Sequence, residues 1–429
     1  VNMMNLEYPK HHLVNIGYIP NCQICNSAKL HAVLDLGYQP LCDTLLTDAM
    51  LNEPEKTYPL RMMWCEECTG AQIDYCVDGS EVYYPGYPYK SGVTKELVEY
   101  QVNIARGLVG KYGLKAGDLV VDVGSNDGTL LSGFTGTGIR TLGVEPTNIA
   151  KMAKASGIET VQSFFDIKTS QAIKEQYGSA SVVITTNTFA HMRTIGEFIM
   201  GAYNLLNDDG VFMSETHYLL DVVRGGQFDT IYHEHLRTYS LASLIRLFDQ
   251  YDFTLTDAER GERYGGNIRV YVAKGKGRPV SPAVAALLQL EQSSGLGEYK
   301  TYAAFAERVK KARLEFMDFL IHAKKAAKSI VGNSCPGRSV TLLNYYGVDP
   351  ELLPYVAEQP ASLKLGMYVP GTHQPVVANQ RLIDEQPDFV VLLAWHYAEP
   401  IMEQLKARGL KSDFIIPLPD FRIVKNSEV

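Results

Sequence analysis

Between Phe228 and Leu236 the chain reads Phe-Asp-Thr-Ile-Tyr-His-Glu-His-Leu, which sets Tyr232, His233, Glu234 and His235 side by side. All four can hold or move a proton. Histidine is the natural general base near neutral pH, and a tyrosine hydroxyl can donate to a forming oxyanion. If the run is extended, Tyr232 and Glu234 share one face and the two histidines the other; if it is helical, Tyr232 and His235 are neighbours. The His-x-His pair also invites a metal, but no third ligand stands close by in the sequence. A second constellation is clearer. Cys22-Gln-Ile-Cys25 and Cys65-Glu-Glu-Cys68, with 39 residues between them, are two knuckles whose tight turns aim four thiolates at one point. Four thiolates close a tetrahedral zinc site and leave no open position, so the expected zinc is structural. So small a segment has little core of its own, and the metal would supply folding energy. Cys42, Cys76 and Cys335 have no such pairing and read as small buried residues.

The elements that position these groups come from a chain of 429 residues, long enough for two or three domains. A formal charge of −8 argues against a nucleic-acid footprint, and no apolar run reaches the ~20 residues that cross a bilayer. Seven cysteines, four of them paired for metal, suit a reducing compartment, and the cytoplasm is the expected location. From Asp118 strand-like and helix-like segments alternate, which predicts a doubly wound sheet. Leu119–Gly124 is a buried strand running into the turn Ser125–Thr129, and Thr141–Glu145 is the next strand. Glycine at 124 and 128 lets the backbone approach a ligand, and the following helix N-terminus offers free N–H groups. Glu145, 21 residues after Gly124, can accept from both hydroxyls of a ribose. The turn is not Gly-x-Gly-x-x-Gly, and Asp127 would repel a pyrophosphate, so an adenosine with an amino-acid tail fits better than a dinucleotide. Val161–Asp166 can place an aromatic ring, Phe164 or Phe165, and a polar cap near adenine; Val182–Asn187 and Val211–Glu215 supply two more strands. Asp252–Ala258 and Asn267–Ala273 form a closing antiparallel pair, as in the class I methyltransferase fold.

Ser281–Lys328 is helix-prone, with Phe305, Val309, Phe316, Phe319 and Leu320 spaced for one apolar face, and reads as a linking helix that docks the domains. From Ser329 a second α/β pattern begins, with strands expected at Ser339–Leu343, Phe389–Leu393 and Phe414–Pro417 and a helix at Glu399–Gly409. The expected organisation is a zinc-binding module in residues 1–80, a cofactor domain in 81–280, and the linking helix with an α/β substrate domain in 281–429.

The chain resembles the sugar C-methyltransferases that act at C3 of nucleotide-linked 4-keto-6-deoxyhexoses. The resemblance runs over nearly its whole length. It is carried by the cysteine pairs, Asp35–Leu41, Tyr87-Pro-Tyr-Lys-Ser91, Val123–Gly128, Asn187-Thr-Phe-Ala-His191 and Asp229–His235. Gly265–Arg269, Leu342–Gly347, Pro370–His373 and Leu392–Trp395 extend it. It implies an α/β fold: a class I S-adenosylmethionine methyltransferase Rossmann-like domain between the zinc module and a C-terminal Rossmann-like domain. The implied cofactors are S-adenosylmethionine and structural zinc. The implied cofactor-binding residues are Asp122, Gly124, Asn126, Asp127, Gly128, Glu145, Phe165 and Asn187. The implied partner is a deoxysugar on a dTDP-type nucleotide, with monomer or homodimer left open.

In the implied mechanism His235, positioned by Glu234, removes the C3 proton, Tyr232 and His191 steady the enolate oxygen, and Tyr89 closes over the substrate. The choice of His235 over His233 rests on the resemblance. The family's Gly-Ala-Ser-Thr-Lys-Gly-Asn turn is replaced here by Gly332-Asn-Ser-Cys-Pro-Gly-Arg338, where Pro336 lacks a backbone donor and Arg338 could meet a phosphate or carboxylate. Lys364, His373 and His396 are further candidates for the cleft. Three rival readings are a nicotinamide-dependent oxidoreductase, an oxygen or nitrogen methyltransferase, and a non-catalytic scaffold. The first lacks its pyrophosphate loop, the second needs no enolate-forming His and Tyr, and the third would not need those groups filled.

Overall fold

Seven segments between residues 119 and 274 pair into one sheet, whose strands we number β1 (Leu119–Val123), β2 (Arg140–Val144), β3 (Thr160–Val161), β4 (Ala180–Thr186), β5 (Leu206–His217), β6 (Phe253–Gly261) and β7 (Asn267–Lys274). The structure is a computed structural model that describes residues 8–82 and 95–429. Every residue of β1 is buried, as a strand covered on both faces requires. The sheet order is 3-2-1-4-5-7-6, with β7 antiparallel to β5 and β6 antiparallel to β7. This is the order of the class I methyltransferases, and it reverses direction between β1 and β4. Ligands of such sheets lie outside the carboxyl ends of the strands at that switch point.

The N-terminal sheet is made of Leu30–Gln39, Tyr58–Cys65 and Ala71–Ile73, and its fourth strand comes from elsewhere: Arg237–Thr238, just after His235, pairs with Ala71 and Gln72. Gln23, inside the first cysteine knuckle, donates to the Leu236 carbonyl at 3.1 Å and accepts from Arg237 at 2.9 Å. The zinc module is thus stitched to the segment that carries the titratable run.

The third sheet has six strands in the order Val376–Ala378, Val356–Glu358, Ile330–Asn333, Phe389–Leu392, Asp413–Ile416 and Arg422–Val424. All pair in parallel except the last. The expected strand at Ser339–Leu343 is instead part of a helix, Gly337–Tyr346, and the strand before it is Ile330–Asn333. That helix buries Arg338 through Leu343 without a break, so its sequence shows an apolar run with no helical period. The linking helix proves to be two helices, Pro282–Ser293 and Tyr299–Lys325. Ser281 caps the first by accepting from the Ala283 amide, with proline at the first helical position. The second buries Phe305, Val309, Phe316 and Leu320, with Phe319 half-buried, and it touches Leu30–Gln39, Leu219–Arg224 and Ile330–Asn333. It therefore braces the N-terminal and C-terminal sheets and the helix that follows β5.

Candidate active site and zinc centre

A cavity of about 1130 Å³ opens at the carboxyl ends of β1, β2 and β4 and is walled by residues of the methyltransferase sheet and its loops, of the C-terminal domain, and of N-terminal segments such as Asp43 and Cys76–Ser80. Pockets for a single small ligand run to roughly 1,000 Å³, so this one has room for a cofactor and an acceptor together.

On the cofactor side, Glu145 follows β2 and lines the cavity. Its carboxylate accepts from the backbone amides of Asn126 at 3.0 Å and Thr147 at 2.9 Å, which fixes its direction. Asp122, Gly124, Asn126, Phe165 and Asn187 also line the cavity. Asp122 is buried, and burial with the nearby Glu145 pushes its carboxyl up to about 7. At Gly124, φ is +76°, and a Cβ there would lie 2.4 Å from the Thr188 hydroxyl, so only glycine lets the backbone come this close. The Oδ1 atoms of Asp122 and Asn187 and the Ser125 hydroxyl are buried without a hydrogen-bond partner in the protein. Orphaned buried polar atoms are rare, and these point to a polar ligand in this half. Asp127 and Gly128 are placed differently from the reading by sequence: neither lines the cavity. Asp127 accepts from the Thr129 amide and hydroxyl, and a Cβ at Gly128 would strike Ile158, so both serve the turn. The helix after the turn, Thr129–Ser132, is a single turn long.

On the other side, residues 232–235 form a turn in which the His235 amide donates to the Tyr232 carbonyl at 2.9 Å, bringing the two rings to 4.0 Å. Around His235 stand His191 and His217, each at 4.9 Å between ring centres. His191 is held there because Phe189, two residues earlier, is packed among Phe198, Phe212, Phe248 and Tyr239. Nδ1–H of His235 donates to the Thr230 carbonyl at 2.6 Å. A carbonyl can only accept, so Nδ1 carries the hydrogen and Nε2 carries the lone pair. Burial lowers His235 to about 4, and it also holds His191 and His217 well below the usual histidine range, so all three are neutral at pH 7. Burial raises the Tyr232 hydroxyl well above its ordinary value and keeps it protonated.

The sequence reading is corrected at Glu234: its carboxylate sits 3.6 Å from His191 and accepts from the Cys42 thiol at 3.5 Å, and the group that orients His235 is Thr230. His233 instead meets the Pro59 carbonyl and the edge of Tyr58 in the N-terminal module. His217 carried no motif; its one signal is its place at the end of β5, facing the crevice. Tyr89 and the Tyr87–Ser91 segment lie outside the described residues.

Asp229, just before Thr230, is fully buried and accepts from Arg338 at 2.8 and 2.6 Å and from the Trp395 indole at 2.8 Å. The carboxylate that Arg338 meets is therefore an internal one, and the C-terminal sheet grips the turn that orients His235. Lys364 lines the cavity, paired to Asp43 at 2.9 Å, and His396 lines it too, whereas His373 pairs with Glu55 away from it.

The four paired cysteines are the other centre. Cys22 and Cys68 lie 3.6 Å apart, as do Cys25 and Cys65, and all four sulfurs fall within 4.8 Å of one another. Zinc–sulfur bonds of ~2.3 Å in a tetrahedron give sulfur–sulfur edges of about 3.8 Å, so the set fits the metal. Cys42, Cys76 and Cys335 are buried and free.

A zinc binding domain model matches residues 22–83, a methyltransferase domain model residues 99–258, and a C-methyltransferase C-terminal domain model residues 262–419. The C-methyltransferase NovU of Streptomyces niveus is 31% identical over 95% of this chain and 97% of its own length. The chain belongs to the C-methyltransferase family. It is a C-methyltransferase that uses S-adenosylmethionine and carries a zinc-binding cysteine cluster. Among solved structures, the magnesium protoporphyrin IX methyltransferase of Synechocystis PCC 6803 with bound SAM is 12% identical over 42% of this chain and 79% of that one, with a TM-score of 0.32. An S-adenosylmethionine-dependent methyltransferase of Clostridium acetobutylicum is 12% identical over 42% and 92%, at 0.34. Those scores are too low to bear on the chemistry of this C-methyltransferase, whose fold is read from its own strand order and domain models. Among the described residues no helix is long and apolar enough to cross a membrane.

Proposed function

We propose that this C-methyltransferase transfers a methyl group to C3 of a nucleotide-linked 4-keto-deoxysugar through an enolate. The observation that carries the reading is His235, whose Thr230 contact leaves a lone pair on Nε2 in the cavity that also holds Glu145 and Asn187. A hydrogen on a carbon beside a keto group is acidic because the resulting anion spreads onto oxygen. His235 Nε2 accepts that proton while it is still neutral. The Tyr232 hydroxyl, kept protonated by burial, donates to the oxygen that gains charge, and a neutral His191 ring beside it supplies a second N–H. The imidazolium formed on His235 then lies against the enolate, which offsets the cost of a buried charge. Glu145 holds the ribose of the cofactor, with Asp122 and Asn187 toward its amino-acid end and Phe165 beside adenine. S-adenosylmethionine, when bound, supplies a methyl group already activated for attack by carbon. The four cysteines hold a structural zinc.

Incubating the enzyme with S-adenosylhomocysteine and a panel of nucleotide-linked 4-keto-6-deoxysugars in heavy water, with the C3 proton followed by NMR, tests the reading. Loss of that proton on one panel member, abolished by His235→Ala with S-adenosylhomocysteine binding retained, is expected. Exchange that survives His235→Ala, or no exchange with any member, would sink it.

A further inference from the structure

Arg263 lies in the 3₁₀ turn Arg263–Gly265 between β6 and β7, and its guanidinium reaches the cavity. Three tyrosine rings surround it: Tyr100 at 5.2 Å, Tyr264 at 5.6 Å and Tyr397 at 5.2 Å from ring centre to the guanidinium carbon. Such faces stabilise a cation without neutralising it. Among the described residues Arg263 has no carboxylate partner, and its Nε is buried with no acceptor. The other arginine of this wall is spent, since Arg338 is neutralised by Asp229. Next to the cage is His396, whose ring lies 4.4 Å from that of Tyr397. His396 lines the cavity, and its Nδ1 is buried with no hydrogen-bond partner. One cavity wall therefore holds an uncompensated guanidinium and an unsatisfied imidazole nitrogen side by side. A buried polar atom without a partner is costly, so two at one place are the mark of a site that a ligand completes.

We propose that Arg263 and His396 form a subsite for the anionic group of the acceptor, a phosphate or diphosphate. A guanidinium suits such a group because its fork can give two parallel N–H bonds to phosphate oxygens. The position is apt for a handle and not for chemistry. His217 lies between, 4.9 Å from His235 on one side and 6.0 Å from Tyr264 on the other, so the charged wall stands beyond the reacting groups. Three elements meet there, the helix Lys95–Tyr112 with Tyr100, the β6–β7 hairpin, and the 3₁₀ turn Trp395–Tyr397, so an anion bound here ties the C-terminal sheet to the methyltransferase sheet. The inference rests on the proposed function for the identity of the acceptor and adds where its charge is read.

The test titrates the full-length zinc protein, saturated with S-adenosylhomocysteine, with inorganic pyrophosphate, thymidine and thymidine diphosphate by calorimetry. Wild type should bind pyrophosphate and the nucleoside diphosphate. Arg263→Met should weaken both about 10- to 100-fold, with Arg263→Lys in between and S-adenosylhomocysteine affinity unchanged. A preference for the diphosphate over pyrophosphate that Arg263→Met leaves intact would assign the base to other residues and the charge to this one. Equal affinity of wild type and Arg263→Met for both anions, or no binding of either by wild type, overturns the subsite. Loss of S-adenosylhomocysteine binding along with the anions, in both the Met and the Lys variants, also overturns it by making Arg263 part of the cofactor pocket or the fold. A failure of the enolate reading looks different: no C3 exchange on any keto-sugar, while the anion titration still responds to Arg263.

Discussion

Replacing Asp229 by asparagine keeps the shape of the side chain and removes its charge, which makes it a sharp test of how the C-terminal domain supports the turn that orients His235. Asp229 is fully buried, the Arg338 side chain is 7% exposed, and the two share a bidentate pair with the Trp395 indole as a third donor. Removing one partner of a buried pair strands the other charge and costs about 3–5 kcal/mol. Against a typical total of ~5–15 kcal/mol, that is a large fraction of the stability of a domain. Asp229→Asn should therefore lower the urea midpoint markedly. It should also lower kcat by at least about tenfold, because the turn Phe228–Thr230 carries the carbonyl that aims His235, and small displacements of a reacting group are costly. Affinity for S-adenosylhomocysteine should stay within about twofold, since Glu145 and the β1 turn are not touched. The decisive measurement is a double-mutant cycle with Asp229→Leu and Arg338→Met, read by urea unfolding followed by circular dichroism. Once both charges are gone, the loss should be smaller than for either single change. Additive losses, or an Asp229→Asn variant within about 1 kcal/mol of wild type and with full kcat, would refute the idea that this pair clamps the site.

Cys25→Ser should lower bound zinc, read by atomic emission, and lower the melting temperature by several degrees; unchanged metal content would remove the four-thiolate site. Glu145→Ala should weaken S-adenosylmethionine binding about tenfold or more by calorimetry with little change in melting temperature, and an unchanged Kd would count against a ribose contact. The pH dependence of stability has a definite sign. His12, His233 and His235 are each lowered to about 4 by burial, so below about pH 6.5 the unfolded chain binds protons that the folded chain does not, and stability falls as pH drops toward 4. Asp122, raised to about 7, opposes them with one proton bound by the folded form. The histidines outnumber it, with His191, His217 and His396 acting in the same direction, so the expected sign near pH 5 is a loss of stability as pH falls. Chemical denaturation at pH 7, 6 and 5 would show it, and a flat profile would mean that these rings are solvated.

The central sheet was readable because β1, β4 and the later parts of β2 and β5 are apolar runs separated by glycine and polar turns, and they are buried along those runs. The helix Gly337–Tyr346 was not, because burial on all sides erases the period that separates helix from strand, and Val340 and Thr341 favour the wrong choice. The titratable run marked the neighbourhood of the site but not its wiring. Sequence adjacency suggested that Glu234 serves His235, yet a four-residue turn sends the two side chains to different partners, and the group that aims His235 is a backbone carbonyl that no residue type announces. His217 and Arg263 reach the cavity through sheet order alone, one from the end of β5 and the other from the hairpin that closes the sheet.

The strand that Arg237 and Thr238 lend to the N-terminal sheet also couples the metal centre to the candidate active site. Only Leu236 separates His235 from that strand, and the Gln23 contacts that fasten it come from within a cysteine knuckle. The segment that carries His235 thus shares its anchoring with the metal knuckle. Zinc removal is therefore expected to cost turnover as well as stability, because the contacts that fasten the His235 segment start inside the knuckle.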